Sequence, residues 1–194
     1  MAKKKEAEDS RNIRRTKTAL RNSLIELMKT RSILRISVKE ICNKADVGRT
    51  TFYAHYQSQY DLLEEIEIEC QTVFEETLFY NLPIREYTNK EIILMTEKIL
   101  LFIADNSNSI QTLLSENGDI TFQRRFINRF IILFKNTKKH YTDNSVNEET
   151  AECYSVFFVH GAIALVQYWL KTNMRKSISE LAKILVSLTN ELRQ

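Results

Sequence analysis

Glycine and proline are almost missing from this chain, with three of the one and one of the other in 194 residues. Tight turns between strands draw on Gly for positive φ and on Pro for a fixed φ. So small a supply excludes a sheet of many short strands and points to an all-α architecture. Cysteine is scarce as well, and Cys42, Cys70 and Cys153 are widely spaced, odd in number and set in apolar helical patterns. That excludes a disulfide framework, and the three are expected as buried thiols in a reducing cytoplasm. His55, His140 and His160 stand at no ligand-like spacing, so neither a structural metal nor a cofactor is expected. No apolar stretch follows the charged N-terminus, which argues against a signal peptide. The most apolar run, Val156 to Leu170, is short for a bilayer span and contains His160 and Gln167. Paired carboxylates, a nucleophile–base set and a glycine-rich phosphate loop are all lacking, so an enzyme is not expected. Glu64, Glu65, Glu67 and Glu69 read as a solvated helix face.

What the chain does have is a globular composition, 43% hydrophobic and 27% charged, and an uneven charge. Residues 1–57 carry 14 Lys/Arg against 6 Asp/Glu, a net +8, while residues 58–194 carry 14 against 19, a net −5. Charge segregated in this way suggests that only the first part meets a polyanion. Lys3, Lys4 and Lys5 belong to a patternless stretch, residues 1–9, expected to be a disordered basic arm: a solubilising tail, or an arm that follows phosphates. The excess continues into patterned sequence. Ser10 can cap a helix to about Thr30 with Ile13, Leu20, Leu24, Leu27 and Met28 inward. Arg11, Arg14, Arg15, Lys17 and Arg21 crowd its first half, against the helix dipole, which suggests an external anion.

The stretch from Ile36 to Tyr56 carries the most information. Ser37 and Glu40 form a capping box, and Val38, Ile41, Cys42 and Ala45 then share one helical face. Asp46-Val47-Gly48 interrupts the pattern, and Arg49 to Tyr56 resumes it with Phe52 and Tyr56 inward. Arg49, Thr50, Tyr53 and His55 are left outward, all of them hydrogen-bond donors. A short helix, a tight turn and a second helix with one greasy and one donor-rich face make a helix-turn-helix pattern. Tyr53 could instead be ordinary packing, and His55 a solvated surface residue.

Ser58 caps a further helix, with Asp61 in its first turn, that runs through Leu62, Leu63, Ile66, Cys70, Val73, Phe74 and Leu78 to about Tyr80. Asn81-Leu82-Pro83 ends it. Ile92, Met95, Ile99, Phe102 and Ile103 mark the next helix. Ile110, Leu113 and Leu114 mark a short one closed by Asn117-Gly118. Phe122, Phe126, Ile127, Phe130, Ile131 and Phe134 mark a long one, followed by a polar loop from Tyr141 to Asn147. The last two helices, 148–172 and 177–193, are apolar on more than one face, as helices buried on both sides are. The second side is either core or another copy of the chain, and Gly161, Ala162, Ala164 and Ala182 would permit close approach. The division read here is a DNA-binding domain over 10–57 and a second domain over 58–194.

Between Arg15 and Glu65 the sequence resembles the TetR family of bacterial transcriptional regulators. The match rests on Ile36-Ser37-Val38-Lys39-Glu40-Ile41, on Ala45-Asp46-Val47, on Thr51-Phe52-Tyr53-Ala54-His55-Tyr56 and on Ser58-Gln59-Tyr60-Asp61-Leu62-Leu63. Farther on, Leu114-Ser115-Glu116-Asn117-Gly118-Asp119 and Gly161 with Tyr168-Trp169-Leu170 resemble a subgroup that includes activators of dihydroxyacetone-kinase operons. The resemblance implies a TetR-like fold of about nine helices and a homodimer on a near-palindromic operator, acting as a repressor. It implies phosphate contacts from Ser37 and Lys39, base contacts from Arg49 and Thr50, backbone contacts from Tyr53 and His55, and a place for Thr51 in the same interface. It further implies a dimer face including Phe158, Gly161, Ala162, Leu165, Ala182, Leu185 and Val186. A small effector would enter a pocket lined by Phe102, Phe126, Phe130, Tyr154, Phe157 and Trp169; alternatively a partner protein takes the effector's place. Three residues depart from the family pattern: Asp46 for Gly in the turn, Gly48 for a Ser/Thr cap, and Gln59 for a phosphate-touching Lys.

Overall fold

The computed structural model describes residues 2–79, 88–139 and 147–191. Its elements are α1 (Ala2–Met28), a 3-10 turn (Ile33–Arg35), α2 (Val38–Ala45), α3 (Arg49–Tyr53) and α4 (Gln59–Phe79), then α5 (Asn89–Asp105), α6 (Ser107–Leu113), α7 (Ile120–Lys139), α8 (Glu148–Lys171) and α9 (Ile178–Glu191). The fold is all-α, with no strand among the described residues. The expected stop at Asn81-Leu82-Pro83 and the polar loop through residues 141–146, with His140 before it, lie outside the described residues.

The chain divides into two compact units, Met1–Cys70 with Thr112–Asp119, and Gln71–Gln111 with Ile120–Gln194. The division falls inside α4 rather than at residue 57, because the first turns of α4 supply part of the first core. That core holds Leu20, Leu24, Ile25, Met28, Ile41, Phe52, Leu62 and Ile66, each at most 2% exposed. Ile13, expected inward, is exposed instead.

α1 starts at Ala2, not Ser10, so the backbone of residues 2–9 is helical. The reason is local. Ala, Lys and Glu are good helix formers, and no Gly or Pro interrupts them. With the start moved back, Arg11, Arg14 and Arg15 lie more than two turns inside the helix. The dipole acts only in the first and last turns, so it no longer argues for an anion at these arginines. At the other end, the Asn117 side-chain amide donates to the Lys29 carbonyl at 3.2 Å, satisfying a carbonyl just past the end of α1. Gly118 does not close a helix: α6 stops at Leu113, and no described Gly has positive φ.

In the second unit α5 packs on α9 and α7 on α8. Phe74 sits amid the rings of Phe102, Phe126 and Phe130, at 5.2, 5.2 and 5.6 Å between centroids, all edge-on. Phe126 and Phe130 are 4.8 Å apart, so these rings fill the space between helices. Edge-to-face pairs add about 0.5–1.5 kcal/mol each beyond burial. Trp169 is buried and its indole N–H donates to the Lys176 carbonyl at 2.8 Å, across the turn into α9. Ser177 and Glu180 then cap α9 reciprocally. The thiols differ from the expectation of three buried ones: Cys42 is buried, Cys70 half-buried and Cys153 exposed.

Candidate nucleic-acid interface

The pair α2 and α3 begins with a cap at the start of α2. The Glu40 backbone N–H donates to Ser37 Oγ, and the Ser37 N–H and hydroxyl both donate to Glu40 Oε2 at 2.9 and 2.7 Å. These bonds, Ser37's backbone N–H first, and the Arg31 guanidinium hold the Glu40 carboxyl at about 2, well below the usual range. α2 ends at Asp46 in left-handed geometry, φ 53° and ψ 46°, which Asp tolerates better than most residues. Gly48 precedes α3 at φ −64° and offers no side-chain cap.

α3 is a single five-residue helix, Arg49–Tyr53, so it stops short of the expected Tyr56. Phe52 is fully buried and Tyr56 nearly so, as the i, i+4 spacing requires. Arg49, Thr50, Thr51 and Tyr53 are exposed, and His55 is half-buried with its ring 6.3 Å from that of Tyr56. An open concavity of about 560 Å³ lies on this side, lined by Leu34, Arg35, Ile36, Ser37, Val38, Lys39, Glu40, Arg49, Tyr53 and Gln59. It brings together Ser37, Lys39, Arg49 and Tyr53 from the expected set and leaves Thr50, Thr51 and His55 outside its lining. Arg35 and the largely exposed Leu34 also line it, and sequence periodicity could not find them because they sit in a 3-10 turn.

Three further cations of the unit are engaged by carboxylates. Arg31 pairs with Glu40 at 2.8 Å, Lys17 with Glu65 at 2.7 Å, and Arg21 with Glu69. Glu67 is 5% exposed. The acidic run of α4 is therefore only partly a solvated face: Glu64 and Glu69 are exposed as expected, Glu65 is half-buried and Glu67 buried, and Glu65 and Glu69 both hold α1.

The positions expected for an effector pocket are dispersed. Phe102, Phe126 and Phe130 belong to the ring cluster around Phe74, Trp169 lies in the core near the α8–α9 turn, and Tyr154 is half-buried. Phe157 is 69% exposed, so most of its side chain stands outside the interior where a pocket was expected. Of the expected dimer face, Ala182, Leu185 and Val186 are buried within the chain's own core, because α9 turns that side to α5. Gly161 is exposed, Ala162 and Leu165 are half-buried, and Phe158 stacks on Phe134 at 4.4 Å. The open line on α8 is instead Phe157, Gly161, Ala164 and Tyr168, one side of the helix at i, i+4, i+7 and i+11.

A basic unit that sets a short donor-lined helix beside a capped one is built to meet a nucleic-acid backbone and base edges. Residues 22–66 match the family described as bacterial regulatory proteins, tetR family, and residues 90–191 match a transcriptional regulator C-terminal region. The chain belongs to the TetR family of DNA-binding transcriptional regulators, which are not enzymes. Similar solved structures include a TetR transcriptional regulator from Streptococcus agalactiae 2603V, 27% identical with a TM-score of 0.62, covering 94% of this chain and 98% of that one. The dihydroxyacetone kinase operon activator DhaS is 18% identical with a TM-score of 0.52, over 92% and 96% of the two chains. NalD, the secondary repressor of the MexAB-OprM multidrug efflux pump in Pseudomonas aeruginosa, is 16% identical with a TM-score of 0.64, over 91% and 96%. At these identities DhaS and NalD show the shared fold alone. No curated protein matches the chain.

Proposed function

We propose that the chain is a cytoplasmic repressor that binds a near-palindromic operator as a homodimer, with half-sites about one helical turn apart. The observation that carries this reading is the convergence of Ser37, Lys39, Arg49 and Tyr53 on one open concavity of the basic unit. Arg49, in the first turn of α3, offers a bidentate fork suited to guanine O6 and N7. Ser37 and Tyr53 offer neutral donors, and Lys39 a charge, for phosphate oxygens. Thr50 and Thr51 stand beside Arg49 for base contacts, and His55 for the backbone. Selection from a random duplex library, followed by a salt titration, tests it. A palindromic consensus whose binding weakens steeply with salt is expected, and binding indifferent to both sequence and salt overturns the reading.

The second copy meets the chain through α8. Among the described residues α8 alone has the length and apolarity to cross a membrane, and only 28% of its apolar window is buried. In a DNA-binding family that open face suits a second copy, with Phe157, Gly161, Ala164 and Tyr168 facing their equivalents. Control comes from the second unit, through a small apolar ligand. A protein partner in its place is the second reading, favoured by the close ring packing around Phe74. NalD is a repressor and DhaS an activator, so this fold serves both signs of regulation. Native mass spectrometry of the purified protein separates the two forms of control: a retained small molecule supports the ligand, and its absence together with capture of a stoichiometric protein supports the partner.

A further inference from the structure

A five-residue helix makes too few internal hydrogen bonds to fix its own direction, so the aim of Arg49 and Tyr53 is set from outside α3. Two rings do this. Phe52 lies 5.6 Å from Tyr53 and 5.5 Å from Tyr56, centroid to centroid. Tyr56, 5% exposed, is in turn held by its hydroxyl, which donates to Glu65 Oε1 on α4 at 3.1 Å. The other oxygen of Glu65 accepts from Lys17 Nζ of α1 at 2.7 Å, and that ammonium also lies 5.3 Å from the centroid of the Tyr56 ring. Three side chains from three places in the chain thus close a triangle behind the recognition helix.

We propose that Glu65 is a positioning residue for DNA recognition, tying Tyr56 and through it α3 to α4, with Lys17 serving this tie rather than a DNA phosphate. Burial works against a charged Glu65, but the Lys17 ammonium and the Tyr56 hydroxyl outweigh it and hold the carboxyl below the usual range. The Glu65 charge is therefore present at neutral pH. One turn further along both helices Arg21 pairs with Glu69, so the same two helices are joined twice.

The inference rests on α3 being the reading element, and the test separates the two. The full-length protein and its variants Tyr56→Phe, Lys17→Gln and Arg49→Ala are titrated with a selected operator and with unrelated duplex, over a range of salt. Circular dichroism confirms that each is folded at the assay temperature. Tyr56→Phe removes one oxygen. It is expected to lower the ratio of specific to non-specific affinity roughly tenfold, as loss of a hydrogen bond to a charged group does, and to leave the salt slope unchanged. Loss of stability alone would leave that ratio where it was. Lys17→Gln is expected to lower the ratio similarly, again with the parent's slope. A Tyr56→Phe ratio within about twofold of the parent overturns the proposal, as does a Lys17→Gln slope reduced by about one per half-site, the mark of a phosphate contact. If Tyr56→Phe does not fold, Glu65→Gln takes its place and is judged on the same ratio. If Arg49→Ala relaxes specificity and Tyr56→Phe does not, this inference fails alone. If Arg49→Ala changes nothing, the reading of α3 fails and this inference fails with it.

Discussion

The Arg49 guanidinium rests beside the Tyr53 ring one turn along α3, its central carbon 5.9 Å from the ring centroid and one Nη 3.5 Å from the hydroxyl. An exposed cation–π contact contributes about 0.5–1 kcal/mol, and a hydrogen bond at that length is weak. The pair restrains Arg49 without committing it. Replacing Arg49 by Ala should therefore cost about 1–3 kcal/mol of operator binding and relax preference at one base position. Base-by-base competition checks this, and an unchanged consensus would move the specificity away from Arg49.

Glu40 makes the start of α2 sensitive to acid. Its folded value near 2 lies below the ordinary 4.5, so the charged carboxylate stabilises the fold above about pH 4.5, and that contribution fades as pH falls through about 2. A Glu40→Ala variant should melt below the parent at neutral pH, and the gap should close across this window. Thermal melts at stepped pH measure it; a gap that stays constant down to pH 2 argues against the cap as the cause.

Gly48 offers room for improvement. Its φ of −64° suits any residue, and a Cβ there would meet only Thr51 Oγ1, at an ordinary 3.8 Å. Gly48→Ser should add a capping acceptor and reduce the freedom of the unfolded chain, stabilising by about 0.3–1 kcal/mol. A urea midpoint that moves down instead of up would show that a serine there does not reach the first amides of α3.

Gly161 separates folding from association. A Cβ built on it meets nothing within 4 Å in the chain itself, and Leu exceeds Gly in helix propensity by up to about 1 kcal/mol. Gly161→Leu should leave the subunit as stable or more stable, yet weaken the proposed pairing of copies through α8. Sedimentation at graded concentration beside a thermal melt reads both, and an unweakened dimer would place the contact elsewhere.

What the sequence discloses and withholds follows the distance over which each feature is made. The Ser37–Glu40 cap, left-handed Asp46 and the inward Phe52 and Tyr56 are settled within a few residues, and all were legible. Lys17 and Glu65 are 48 positions apart, so their ion pair cannot be seen in the sequence, where Lys17 points to an external anion and Glu65 to a solvated face. α8 and α9 are apolar on several sides, and such helices do not reveal which side meets the core. That ambiguity put Ala182, Leu185 and Val186 at a surface and Phe157 in an interior, the reverse of their places. The start of α1 was missed for the opposite reason: nothing in residues 2–9 punctuates the chain.

The engagement of Lys17, Arg21 and Arg31 by carboxylates has a consequence for how the regulator searches. Affinity for arbitrary DNA scales with the number of phosphates a protein neutralises. Cations already answered from within add little to that number. The hold on arbitrary duplex is then left to cations that no carboxylate answers, Arg35, Lys39 and Arg49 at the concavity among them, so the charge that draws the protein to any DNA stands where the sequence is read.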